Sequence, residues 1–350
     1  GWIKLHTNAP HHRKAALSVL GCLPERDIVA ARVAEWRGDA LEAAVVAAGG
    51  WAAKLRAAGE WATHPQGRAV AAEPLALWDC EAMAAPWPWQ PSASRPLAGV
   101  RVLDLTRVLA GPVATRCLAG FGAEVLRIDP PGWDEPGVIP EVTLGKRCAR
   151  LDLKTEAGLE VLAGLLRQAD VLVHGYRADA LERLGLGAEA RQRLRPGLID
   201  ISLDAYGHSG PWLNRRGFDS LVQFSAGIAA AGMTWKQSDA PVSLPVQALD
   251  HATGYLIAAA AIRGLLSRSA GAGPIRARLS LARTARLLTR HGGTPGAGVI
   301  DQANAADFAE LPEPTSWGAA LRLRSPITVG TATWVWNSAA AMLGSSDASW

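Results

Sequence analysis

The stretch VRVLDLTRVLAGPVATRCLAGFGAEVLRID, Val100 to Asp129, decides the fold. Val100–Thr106 is a short run rich in branched side chains and reads as a strand. Gly111-Pro112 opens a helix with proline at its favoured first position, and Glu124–Ile128 reads as the next strand. Together they form a βαβ unit. Downstream the alternation continues: a helix over Thr155–Ala169, a strand over Asp170–His174, helical material from Ala178 to Leu194, and a strand over Leu198–Leu203. Such a pattern predicts an α/β fold, a parallel doubly wound sheet with helices on both faces and ligands at the carboxyl ends of its strands. The dinucleotide signature GxGxxG is absent after the first strand, where the turn reads Arg107-Val-Leu-Ala-Gly-Pro112, so neither NAD nor FAD is expected. A helix N-terminus at that turn still suits phosphate or another anion.

Upstream, residues 1 to about 83 read as helical after one short strand, Trp2–Leu5, with Gly21 and Gly49-Gly50 as helix stops. The adjacent pair His11-His12 faces two ways on a helix, which points to a solvated face rather than a metal site. Pro86-Trp87-Pro88-Trp89-Gln90-Pro91 through Pro96 marks a boundary, and its tryptophans predict a packed linker. The resulting division is 1–85, a smaller mostly helical segment; 86–96, a linker; 97–285, a large domain; and 286–350, a C-terminal extension. In that extension Ile327–Trp336 alternates like a strand, as does Ile275–Leu281 before it, and His291–Ala297 is a Gly/Pro loop.

Composition narrows the function. With 36 basic and 32 acidic residues the net charge of +4 is mild and dispersed, and no Lys/Arg run interleaved with aromatics suggests a nucleic-acid partner. Cys22, Cys80, Cys117 and Cys148 are scattered without a CxxC pair, so neither a disulfide framework nor a metal site is expected, and a cytoplasmic setting is the simplest inference. No signal peptide is visible after the opening Gly-Trp-Ile-Lys, and no apolar run is long enough for a membrane span.

The candidate for chemistry is Asp250, in SLPVQALDHATGYLIAAAAIRGLL, Ser243–Leu266, at or next to the start of a long buried helix. Two readings stand side by side. The carboxylate is a helix cap, or it is a nucleophile kept ionised by backbone N–H groups and the helix dipole. A second candidate, His208, lies in the glycine-rich loop Tyr206–Pro211 as an acid or base; no nucleophile-elbow serine accompanies it.

Six segments in one order and spacing carry a family resemblance: Val100–Pro112, Gly122–Asp129, Gly145-Lys-Arg147 with Leu151-Asp-Leu-Lys154, Ala180–Gly185, Gly207–Pro211 and Ala248–Gly254. They are similar to the class III CoA-transferases, the CaiB/BaiF family of formyl-CoA and carnitine CoA-transferases and 2-methylacyl-CoA racemases. The resemblance implies a Rossmann-like large domain in an interlocked homodimer, with acyl-CoA as the form in which coenzyme A enters and a carboxylic acid as acceptor. It places the covalent nucleophile on Asp250, through an aspartyl-acyl anhydride and an aspartyl-CoA thioester, and coenzyme A contacts on Val108, Leu109, Ala110, Leu151, Lys154 and Arg183. The resemblance also implies a substrate pocket that includes His208 and Phe218. Where the racemase branch has a histidine this chain has Phe218, which cannot carry a proton, so the transferase reading leads the racemase. A catalytically degenerate acyl-CoA-binding member is the other alternative. Residues 1 to about 70 resemble the family's small domain, here preceding the large one, and Gly292-Gly293 is the candidate for its glycine-rich loop.

Overall fold

The computed structural model describes residues 1–80, 87–176, 179–273, 275–291, 302–325, 327–332 and 334–350. Gly292-Gly293, the rest of the Gly/Pro loop to residue 297, and the linker residue Pro86 lie outside the described residues. The two units are built around the strands β1 Ile3–Leu5, β2 Ala52–Lys54, β3 Leu77–Cys80, β4 Arg101–Leu105, β5 Glu124–Asp129, β6 Arg147–Arg150, β7 Val171–His174, β8 Ile199–Asp204 and β9 Ile275–Ser280. The chain divides into two compact units, one of Gly1–Leu75, Asp204–Leu249 and Ser280–Gly292, the other of Ala76–Leu203, Asp250–Leu279 and Gly293–Trp350.

The second unit is built on a seven-stranded sheet in the order β3-β9-β8-β7-β4-β5-β6. From β8 to β6 every pairing is parallel, with Val102 opposite both Val125 and Val171, while β3 runs antiparallel to β9 at one edge. Pleating sorts the side chains. Val102, Val125, Val171, Val173, Ile199 and Ile201 enter a core with the helices Ala110–Gly120 and Ala248–Ser269. Leu103, Leu105, Leu126, Ile128 and Leu172 face the other way, toward the helix Glu156–Leu166. Both faces are therefore covered, which is why the strands read as nearly continuous apolar runs. The mostly parallel α/β architecture agrees with the sequence reading.

Several boundaries move. The helix after β4 begins at Ala110, so Pro112 is its third residue rather than its first. The helical material before Leu194 is two short helices, Ala180–Arg183 and Ala188–Leu194. Among its described residues, 327–336 contains no strand, only the isolated bridge Val329–Ala332. Its alternation serves packing instead. Trp334 and Trp336 donate their indole N–H groups to the carbonyls of Cys117 (3.0 Å) and Arg116 (2.9 Å), near the end of the helix Ala110–Gly120. Trp350 does the same for Leu165 (3.0 Å) in Glu156–Leu166. The Cys117 and Leu165 carbonyls each accept a backbone N–H as well, from Phe121 (3.3 Å) and Gln168 (3.1 Å), so there the indole N–H groups take the second lone pair of an oxygen already bonded at the helix end. The linker tryptophans are packed as expected: Trp87 stacks on Trp89 and lies under the Arg268 guanidinium.

The first unit is helical around a small antiparallel pair, β1 with β2, of which only β1 was expected. The helix Pro10–Leu20 ends where Gly21 takes φ +59°. His12 corrects the expectation of a solvated face: it is buried with its ring 4.2 Å from Trp51, while His11 stays exposed.

Candidate active site

Construction of the site starts at the turn after β4. Val108 adopts φ +67°, a left-handed conformation that costs a β-branched residue about 1–3 kcal/mol and survives only where neighbours hold it. Glu135 accepts its N–H (2.9 Å). Under the turn lies a fully buried network. Asp104 accepts from the backbone N–H of Thr106 (2.9 Å) and from the Lys146 ammonium (2.9 Å), and Lys146 also donates to Thr115 (2.6 Å) and the carbonyl of Pro112 (2.9 Å). Burial alone would raise the Asp104 carboxyl, but Lys146 and Arg127 outweigh it and hold it below the usual carboxylate range. Three ammonium protons thus find three acceptors, which is what makes a buried charge tolerable. Leu109, at the cap position, offers no side-chain acceptor to the first N–H groups of the helix.

Asp250 belongs to the helix Ala248–Ser269, in its first turn but inside it, not flanking it. At that end Asp219 accepts the N–H of Leu249 (2.8 Å). The sequence offers no signal for that assignment, because the two residues are thirty positions apart. Four residues beyond Asp250, and so on the same helix face, Gly254 meets the turn after β4. A Cβ on Gly254 would lie 2.6 Å from the carbonyl oxygen of Ala110 and 2.8 Å from Val113. Only glycine allows the two helices this approach, and it sets the Asp250 face of one against the start of the other. Asp250 is 6% exposed.

The remaining coenzyme A candidates share one edge. β4, β5, β6 and β7 are parallel, so the segments following them, bearing Val108–Ala110, Leu151 with Lys154, and Arg183, all leave at the carboxyl ends. Leu151 is tied down by its N–H to the carbonyl of Asp129 (2.9 Å). Lys154 is exposed, and Arg183 is exposed and paired with Asp179 one turn earlier. The same edge holds a group that sequence reading passed over. Arg107 lies with its guanidinium 5.2 Å from the rings of both Trp133 and Tyr176, and donates to the Tyr176 hydroxyl (2.9 Å). Its place directly before Val108 was the available signal. A planar cation held between two aromatic faces is pre-set for an anion or a base.

His208 and Phe218 belong to the first unit. The His208 backbone N–H donates to Glu73 (2.8 Å), its ring Nδ1 is 3.7 Å from the Asp204 carboxylate, and Ser209 donates to Glu73 (2.6 Å). Burial pushes the Asp204 carboxyl well above the ordinary range, and the Glu73 charge adds to the effect. Gln66 fastens the same loop through the carbonyls of Tyr206 and Ser209 (2.8 Å each). Phe218 stacks on His6 (ring centroids 4.0 Å apart) and lies tilted against Trp51 (4.3 Å). Burial lowers the pKa of His6 to about 4, with Lys4 acting in the same direction.

Among the described residues no group of three or more His, Cys, Asp or Glu could hold a metal ion, and no helix is long and apolar enough to cross a membrane.

The chain is 35% identical over 189 residues to the probable fatty acyl-CoA transferase Rv3272 of Mycobacterium tuberculosis, covering 50% of this chain and 48% of that protein. It is 35% identical over 187 residues to the succinyl-CoA:glutarate CoA-transferase of Mus musculus, covering 50% and 42%. The crystal structure of Rv3272 superposes with a TM-score of 0.52 at 32% identity, over 57% of this chain and 58% of that one. The chain thus spans about half the length of these relatives. The family model for CoA-transferase family III matches residues 97–290, more than half of the 350 residues, and the chain belongs to that family.

Proposed function

We propose that the protein transfers coenzyme A between carboxylic acids, with Asp250 as covalent nucleophile. The observation that carries this reading is the packing of Gly254 on Ala110, which sets the face bearing a nearly buried aspartate against the turn that follows the first parallel strand. In this reading the Asp250 carboxylate attacks the thioester carbonyl and expels the coenzyme A thiolate, leaving an aspartyl-acyl anhydride. The thiolate then attacks the aspartyl carbonyl and releases the donor acid. The acceptor carboxylate attacks the aspartyl-CoA thioester, and the thiolate attacks the acyl carbonyl of the new anhydride, freeing Asp250. A carboxylate suits this sequence because its anhydride and thioester both exchange with another acid, whereas a serine ester is too stable to do so. Val108–Ala110, Leu151, Lys154 and Arg183 contact coenzyme A, the last two as cations for its phosphates. The working form is a homodimer in the cytoplasm.

The test is chemical trapping. Incubation of the full chain with an acyl-CoA, then hydroxylamine, should convert Asp250 to a hydroxamate detectable by peptide mass spectrometry, and Asp250→Asn should give none. Exchange of the α-proton of a 2-methylacyl-CoA with deuterium, without adduct, would replace this reading by the racemase. Coenzyme A binding with neither signal would leave a binding protein.

A further inference from the structure

Val108 stands in a backbone conformation unfavourable to its own side chain, and what holds it there is a chain of charged groups. Glu135 accepts the Val108 N–H through one carboxylate oxygen (2.9 Å), and its other oxygen is bound by Arg127. Arg127 is completely buried, and its Nε and Nη2 also grip Asp129 (2.8 and 3.0 Å). The main-chain carbonyl of Asp129 receives the N–H of Leu151 (2.9 Å), and its side chain lies 3.9 Å from Arg107 Nε. Although burial works against the charge, Asp129 and Glu135 hold the Arg127 guanidinium firmly protonated. One buried cation therefore ties together the side chains of Asp129 and Glu135, and through Glu135 the backbone of Val108, all on the carboxyl side of the parallel strands. None of these links is needed to fill the apolar core, whose members are other side chains.

We propose that Glu135 and Arg127 are positioning residues for coenzyme A. They hold the Val108–Ala110 turn in its binding geometry before the ligand arrives. The inference rests on the coenzyme A reading given above. Without Glu135, Val108 is released to negative φ, which carries Leu109 and Ala110 away from that geometry. Preorganisation lost at a backbone contact weakens binding far more than the missing hydrogen bond itself.

The experiment is isothermal titration of the full chain with free coenzyme A, with near-ultraviolet circular dichroism to verify the fold. Glu135→Ala should weaken binding on the order of 10- to 100-fold, and raise KM for acyl-CoA more than it lowers kcat. Adding Val108→Gly to Glu135→Ala should restore much of the affinity, since glycine occupies positive φ without restraint. Glu135→Gln keeps an acceptor for the Val108 N–H and should lose less than Glu135→Ala; it carries the test if the alanine variant does not fold. Unchanged affinity in Glu135→Ala, absence of rescue by Val108→Gly, or a glutamine loss equal to the alanine loss would each overturn the proposal. Failure of the wild-type chain to bind coenzyme A would overturn the functional reading itself, so the two failures are told apart by the wild-type titration.

Discussion

Gly254 lies so close to Ala110 that a β-carbon at residue 254 would stand 2.6 Å from the Ala110 carbonyl oxygen. The contact is backbone against backbone on one side, so no side chain can rotate away to relieve it. Gly254→Ala should therefore lower the unfolding free energy by about 1–3 kcal/mol, with Gly254→Val worse, as read from the urea midpoint. Equal midpoints for wild type and Gly254→Val would show that the helices are not in contact there.

Asp219 and Asp250 separate stability from chemistry. Asp219 accepts the Leu249 N–H, so Asp219→Ala should cost about 1–2 kcal/mol by losing a helix-end acceptor, measured by denaturant unfolding. Asp250→Asn should leave the midpoint within about 1 kcal/mol while lowering transferase turnover on the order of 10⁴-fold or more. A large stability loss in Asp250→Asn with turnover intact would return Asp250 to a structural role.

Lys146→Met should be among the most destabilising single changes in the chain. It leaves the buried Asp104 carboxylate without its ion-pair partner, with only the neutral donors of Thr106 and Thr115 bonded to it, at a cost of about 3–5 kcal/mol. The double variant Asp104→Asn/Lys146→Met should lose less than the sum of the two singles, because the charge that suffers is gone. Additive losses in a double-mutant cycle would contradict the coupling.

Acid should destabilise the fold through the aromatic cluster. Burial lowers His6 and His12 to about 4 from an ordinary value of 6.5, and Lys4 beside His6 and His11 and Arg216 beside His12 act in the same direction. Between pH 4 and 6.5 the unfolded chain binds more protons than the folded one, so stability falls as pH drops through that window and is fully present above 6.5. Asp204, whose pKa is raised, works in the opposite sense above its unfolded value. Comparing urea midpoints of wild type and His12→Gln at pH 7.0, 5.5 and 4.5 isolates the imidazole, since the variant should show a shallower decline.

Legibility in the sequence followed how local each signal was. The strand Arg101–Leu105 and its helix declared themselves because branched residues, a turn and apolar spacing lie within thirty positions. β2 and β3 did not, since Ala52-Ala53-Lys54 has no strand-forming side chain and exists as a strand through pairing with Ile3–Leu5, while β3 depends on β9 almost two hundred residues later. Asp250 was legible as a residue of interest but not as the third residue of its helix, and Arg107 was overlooked because its aromatic partners, Trp133 and Tyr176, come from two other loops.

By itself, the order of residues determined the α/β class, the absence of a dinucleotide loop and the family to which residues 97–290 belong, because periodicity and motif spacing are properties of neighbours along the chain. Only the tertiary structure decided that Asp219 accepts the Leu249 N–H, that Gly254 bears on Ala110, and that Glu135, bound by the buried Arg127, accepts the N–H of Val108 at positive φ. Those facts depend on hydrogen bonds and close approaches between distant segments, whose partners are chosen by the packing of the whole core.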